Sequence, residues 1–137
     1  MNDRLDRHAA LIATMVLVSA AEGTMSDAEI AAMTRIVGSL PAFDDFDRSR
    51  IAAIGKECVE LLQREDGLDV ALERIARALP PPLRETAYAL ACDVIAADRG
   101  ASQSELRLLG MLRERLELDP LVAAAIERAA SARHRAV

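Results

Sequence analysis

Apolar residues recur at three- and four-residue spacing along almost the whole chain, and glycine, proline and serine interrupt them at intervals. That spacing predicts helices. Seven segments can be read. The first runs from about Asp3 to Glu22, with Leu5, Ala9, Ile12 and Val16 on one face and Gly23 past its end. Ser26 caps a second through about Ser39, whose apolar face is Ile30, Met33, Ile36, Val37 and Leu40. Pro41 to Phe46 reads as a loop pinned to the core by Phe43 and Phe46. A third helix covers Asp47 to about Glu65, burying Ile51, Ile54, Cys58, Leu61 and Leu62, and a fourth, capped by Asp69, reaches Leu79. The fifth spans about Leu83 to Asp98, the sixth Gln103 to Leu116 behind the cap Ser102. The seventh starts at Pro120 behind the cap Asp119 and ends in a basic tail at Arg128, Arg133, His134 and Arg135.

Composition narrows the class. Hydrophobic residues make up 52% of the 137 but aromatics only 2%, so alanine supplies much of the apolar share and lets helices approach closely. The expectation is an all-α fold, a single compact bundle of about seven helices over 1–137. Its helix pairs fall at about 5–40 and 83–116, with a last helix at about 120–133. Pro80, Pro81 and Pro82 form the one internal boundary and read as a rigid corner between two halves of one core, because each half alone is small. A net charge of -5 argues against a general nucleic-acid binder, whose footprint is basic. Cys58 and Cys92 sit inside helical patterns without Cys or His partners and read as reduced and buried. The uncharged run Ala9 to Ala21 falls short of the roughly 20 residues that cross a bilayer, and no secretory leader is evident, so a soluble cytoplasmic protein is expected.

One stretch recurs. Ala20 to Glu29 reads AAEGTMSDAE and Ala96 to Glu105 reads AADRGASQSE, aligned without a gap at an offset of 76 residues. Ile30, Met33, Ile36 and Leu40 fall opposite Leu106, Leu109, Leu112 and Leu116. Helices one and two therefore look like a duplicated counterpart of helices five and six. Ser26 with Glu29 and Ser102 with Glu105 make Ser-x-x-Glu capping boxes, a sufficient structural reason for those four residues. The boxes leave Glu22 and Asp98 unexplained, since a carboxylate at a helix C-terminus faces the negative end of the dipole. A bound cation would compensate, and so would the N–H groups opening the following helix.

With these two turns the chain resembles the tellurite resistance TerB family, whose members carry an A-x-A-D-G-x-x-S-x-x-E-like turn twice in an all-helical domain. The first copy here is Ala20-Ala21-Glu22-Gly23 leading to Ser26 and Glu29. The second is Ala96-Ala97-Asp98-Arg99-Gly100 leading to Ser102 and Glu105. The resemblance runs from about Leu5 to Ile126. It implies a helical module linked to tellurite resistance and wider stress or phage-defence systems, without established enzymatic activity. It also implies protein partners, including a membrane-associated stress complex, and a divalent cation at the acidic turns, carried by Glu22, Glu29, Asp98 and Glu105. The chain departs from the pattern where Glu22 replaces aspartate and where Arg99 takes the glycine position, placing a cation that could pair with Asp98.

Asp93 joins the candidate cation ligands from its own chemistry. It lies in an apolar stretch opposite Leu17 of the first copy, so it must be exposed, paired with an arginine such as Arg107 or Arg113, or part of an oxygen-rich cation site. A carboxylate set suits Ca²⁺, Mg²⁺ or Mn²⁺ better than Zn²⁺. His8 and His134 read as solvated, Met15, Met25, Met33 and Met111 as core filler, and no phosphate loop or nucleophile motif occurs, so an enzyme is not expected. The competing reading is a purely structural protein-interaction or dimerisation module whose acidic turns are only caps.

Overall fold

The helical spacing is realised as seven α-helices and no strand among residues 5–20, 26–97 and 101–137, the part of the chain this computed structural model describes. They are α1 (Arg7–Ser19), α2 (Asp27–Ser39), α3 (Ile51–Leu62), α4 (Gly67–Ala78), α5 (Pro81–Ala97), α6 (Gln103–Arg115) and α7 (Pro120–Arg133). Single 3-10 turns at Pro41–Phe43 and Arg48–Arg50 complete the path. The fold is an all-α bundle. Its centre is the pair α1 and α5: α1 also meets α2, α3, α4 and α6, while α5 also meets α2, α6 and α7.

Burial explains why α1 is central. Every residue from Ala9 to Ser19 is buried, so the helix is enclosed on all sides rather than carrying the single apolar stripe its spacing suggested. Alanines on both central helices, Ala9, Ala10 and Ala13 on one and Ala87 and Ala91 on the other, are almost fully enclosed. Tyr88, Leu11, Met15 and Leu90 fill the remaining volume. One apolar cluster takes in residues from Ala9 to Ala130 and includes side chains on both sides of the prolines.

Helix ends show where local chemistry prevailed and where it did not. Asp6 caps α1, its Oδ1 accepting from Ala9 N at 2.8 Å, so the helix starts later than Asp3. Asp47 caps the 3-10 turn before α3 through Ser49 N at 3.0 Å, and α3 starts only at Ile51. Pro81 and Pro82 form the first turn of α5, where a missing N–H costs nothing, and the chain turns at extended Leu79. Asp69 does not cap α4, which begins at Gly67 behind Asp66. The reason is steric: a Cβ at Gly67 would lie 1.9 Å from the Leu61 carbonyl oxygen, so glycine alone allows α4 to start against the end of α3. Asp69 instead lies in the first turn, 3.5 Å from Arg115.

Arg84 ties three elements together. Its guanidinium donates to the carbonyls of Ala76 (2.8 Å), Leu79 (3.0 Å) and Leu116 (3.3 Å), closing the C-terminal ends of α4 and α6 from the first turns of α5. A cation at a helix C-terminus also meets the negative end of the dipole. At the other side of the bundle, His8 stacks on Phe43 with ring centres 5.9 Å apart and tilts against Phe46 at 5.1 Å. Arg50 lies over Phe46 and pairs with Asp6. His8 is thus half-buried packing, not a solvated side chain. Partial burial pushes the Asp6 carboxyl upward, but the Ala9 N–H, Arg50 and His8 together outweigh it and hold it below the ordinary range.

Two predictions follow from these ends. Arg84→Met should cost about 2–3 kcal/mol in urea melts, because charged donors leave half-buried carbonyls unpaired, and Arg84→Lys should restore only part of it. Glu117 closes α6 in a Schellman motif at φ 55°, with Leu118 N bonded to Arg113 O and Glu117 N to Glu114 O. Glu117→Gly should therefore raise stability by about 0.5–1 kcal/mol in the same assay, since glycine carries no Cβ penalty there.

Candidate functional site

The two capping boxes predicted from the repeat are both formed. Ser26 N donates to Glu29 Oε1 at 2.8 Å and Glu29 N donates back to Ser26 Oγ at 3.1 Å. In the second, Ser102 N donates to Glu105 Oε1 at 2.9 Å and Glu105 N to Ser102 Oγ at 3.1 Å. The glutamates are unusually enclosed for carboxylates, Glu29 at 3% and Glu105 at 6% exposure. Each box uses Oε1 only. Among the described residues no hydrogen bond or ion pair engages Oε2 of either side chain. The helix N-terminus lends each carboxylate partial positive charge, and no arginine among the described residues pairs with it.

A second unpaired polar atom lies nearby in sequence. Ser19, the last residue of α1, is buried at 2% exposure and its hydroxyl has no hydrogen-bond partner among the described residues. Thr14 on the same helix shows the usual solution, bonding to Ala10 O at 2.8 Å. A buried hydroxyl without a partner costs about 1–3 kcal/mol.

The other two acidic turn residues, Glu22 and Asp98, lie outside the described residues, as do Gly23, Met25, Arg99 and Gly100. Among the described residues no group of three or more His, Cys, Asp or Glu side chains is arranged to hold a metal ion. Asp93 is only partly exposed and its Oδ1 accepts from Arg133 NH2 at 2.6 Å. An arginine does answer the apolar surroundings of Asp93, but it comes from the end of α7 rather than from Arg107 or Arg113. Sequence spacing could not select among arginines brought near by tertiary packing.

Arg113 serves a network that the sequence reading missed. Tyr88, fully buried on α5, donates its hydroxyl to Glu127 Oε2 at 2.5 Å, and Arg113 NH1 donates to Tyr88 Oη at 2.8 Å and to Glu127 Oε2 at 3.0 Å. Burial and then the Glu127 bond push the phenol well above its ordinary range. The available signal was a lone tyrosine among core alanines and leucines, whose hydroxyl must find a partner. Both cysteines are buried and free. Burial raises Cys58 to about 11; burial, then the Glu127 charge, raises Cys92 to about 12. Neither thiol is an activated nucleophile in the folded protein. His134 is half-buried, not solvated, with Nδ1 2.9 Å from Ala130 O at the end of α7.

A cleft of about 780 Å³ opens between α1, α3 and α4, floored by Ala9, Ala13, Ile54 and Cys58. Its rim charges are mixed in sign, with Asp6 and Arg50 already paired. No helix among the described residues is long and apolar enough to cross a membrane.

Residues 8–130 match the family model of tellurite resistance protein TerB, nearly the whole chain, and the protein belongs to that family. No curated protein and no solved structure matches the chain significantly.

The serines are bound by the boxes alone, so Ser26→Ala and Ser102→Ala should each cost about 1 kcal/mol in a thermal or urea melt. The two losses should add if the boxes act independently.

Proposed function

We propose that this TerB-family protein is a non-enzymatic stress-response module, associated with tellurite resistance, that takes a divalent cation at its acidic helix turns and docks to protein partners. The observation that carries the cation reading is the pair of enclosed cap glutamates, Glu29 and Glu105, each with one carboxylate oxygen that meets no partner among the described residues. The buried Ser19 hydroxyl, also without a partner among the described residues, supports it, since hard cations take neutral oxygens alongside carboxylates. Glu22 and Asp98, next in sequence, would complete the donor set with Glu29 and Glu105. Asp93 would join only by giving up Arg133. All these donors are oxygen, so Ca²⁺, Mg²⁺ or Mn²⁺ fits better than Zn²⁺. When bound, such an ion would supply charge neutralisation and would order the turns; the glutamates would hold it while keeping their helices capped.

Family membership supports the association with tellurite resistance and the absence of catalysis. The acidic net charge of -5 supports protein rather than nucleic-acid partners. A cytoplasmic protein that docks to a membrane-associated stress complex accords with that setting.

A second reading is favoured by the boxes themselves: Ser26, Glu29, Ser102 and Glu105 are already explained as caps, which leaves a structural interaction module or homodimer without a metal. A melt of chelator-treated protein with and without Ca²⁺, Mg²⁺, Mn²⁺ and Zn²⁺ separates the two. On the cation reading one of the first three stabilises the protein by about 2.7 kcal/mol at a hundredfold excess over its Kd. Glu29→Gln and Glu105→Gln keep the capping boxes but remove the charge, so they should abolish that gain while leaving the metal-free melt within about 1 kcal/mol. A flat response to all four ions leaves the turns as caps, and size-exclusion chromatography then tests the dimer.

A further inference from the structure

Helix α7 is held less by apolar burial than the central pair α1 and α5. It is last in the chain and packs chiefly on α5. Only two of its residues, Ala123 and Ala130, are buried, and both are alanines. Ile126 and the preceding Leu118 are partly buried, whereas Leu121 is 82% exposed. By contrast, α1 and α5 bury long runs that include leucine, isoleucine, methionine and tyrosine. Apolar burial scales with area, so α7 gains less from it than any helix of the central pair.

Charge makes up the attachment. At the middle of α7, Glu127 accepts from both Tyr88 and Arg113; at its end, Arg133 donates to Asp93. Two tethers thus fix α7 to α5 and α6, and both are partly open to solvent: the side chains of Arg113 and Glu127 are each 41% exposed, and Arg133 is 52% exposed. Arg133 lies just beyond residues 8–130, the span that matches the family model. Between the tethers on α5 sits Cys92, one helical turn after Tyr88 and next to Asp93. The thiol is 5% exposed and feels the Glu127 charge.

From this geometry we infer that α7 is a charge-tethered C-terminal strap, which lifts from α5 as an independent unit and uncovers Cys92 and the Tyr88 face while the rest of the bundle stays folded. Cys58 is the internal control. It is equally enclosed, at 6% exposure, but between α1 and α3, with Sγ 3.8 Å from Ala13 O. It floors the cleft between α1, α3 and α4, which no residue of α7 lines, so movement of α7 does not change its exposure.

The test uses the full-length protein with both natural cysteines, labelled with a maleimide and read by peptide mass spectrometry. Cys92 should label at least about tenfold faster than the protein unfolds globally by circular dichroism, because a local opening needs less free energy than a global one. Raising salt to about 0.5 M should quicken Cys92 alone, since the tethers are exposed enough to be screened. Glu127→Ala and Asp93→Ala, which keep helix propensity, should together raise the Cys92 rate about tenfold or more and leave Cys58 unchanged. Amide exchange over 120–133 should be faster than over α1 and α5 in the unmodified protein. Labelling of Cys92 no faster than global unfolding, or variants that quicken both cysteines in step, would overturn the strap. So would α7 amides that exchange as slowly as those of α5.

Discussion

The complete enclosure of α1 is the constraint on which the rest of the structure depends. A helix buried from Ala9 to Ser19 needs neighbours on every side, and α2, α3, α4, α5 and α6 all meet it. The central partner is α5, and alanines on both helices keep volume low where the two run through the core. With few aromatic rings available, packing density comes from close approach and from Leu, Ile, Val and Met filling between backbones. The outer helices then need only one apolar face each. Two-sided demand on α1 and α5, and one-sided demand on the others, sets the layering of the bundle.

Polar chemistry is concentrated at the helix ends, where backbone groups are otherwise unpaired. Asp6, Ser26, Asp47, Ser102 and Asp119 satisfy N–H groups, while Arg84 collects three carbonyls from α4 and the end of α6. These contacts orient helices that apolar packing alone would leave free to slide. The Tyr88, Arg113 and Glu127 network does the same laterally for α7. That helix lacks large buried side chains, so its position rests on directed bonds rather than on area.

The cap glutamates link stability to the functional reading. A carboxylate as enclosed as Glu29 or Glu105 is tolerated because the helix N-terminus offers N–H groups and a favourable dipole end. One oxygen of each meets those groups, and the other meets none of the described residues. Capping and cation binding are therefore compatible roles for one side chain, which is why a capping motif alone does not decide between them. The charge-removing, shape-keeping change to glutamine separates the roles, whereas loss of the serine hydroxyl tests the cap.

Local signals were sufficient for much of the architecture. Helical spacing, Ser26 and Ser102 with their paired glutamates, and Pro120 behind Asp119 are short-range features, and the structure forms α2, α6 and α7 where they place them. The recurring turn motif carried the family resemblance, because its residues sit together in sequence. What sequence could not supply depends on chain segments that meet only after folding. Gly67 displaced Asp69 as the start of α4 because the end of α3 presses on it, a contact no local pattern encodes. Asp93 found Arg133, Tyr88 found Glu127, and His8 settled on Phe43 and Phe46, each across a long sequence separation. Periodicity specifies which face of a helix is apolar, but the identity of a distant polar partner is decided by where packing brings the backbones together.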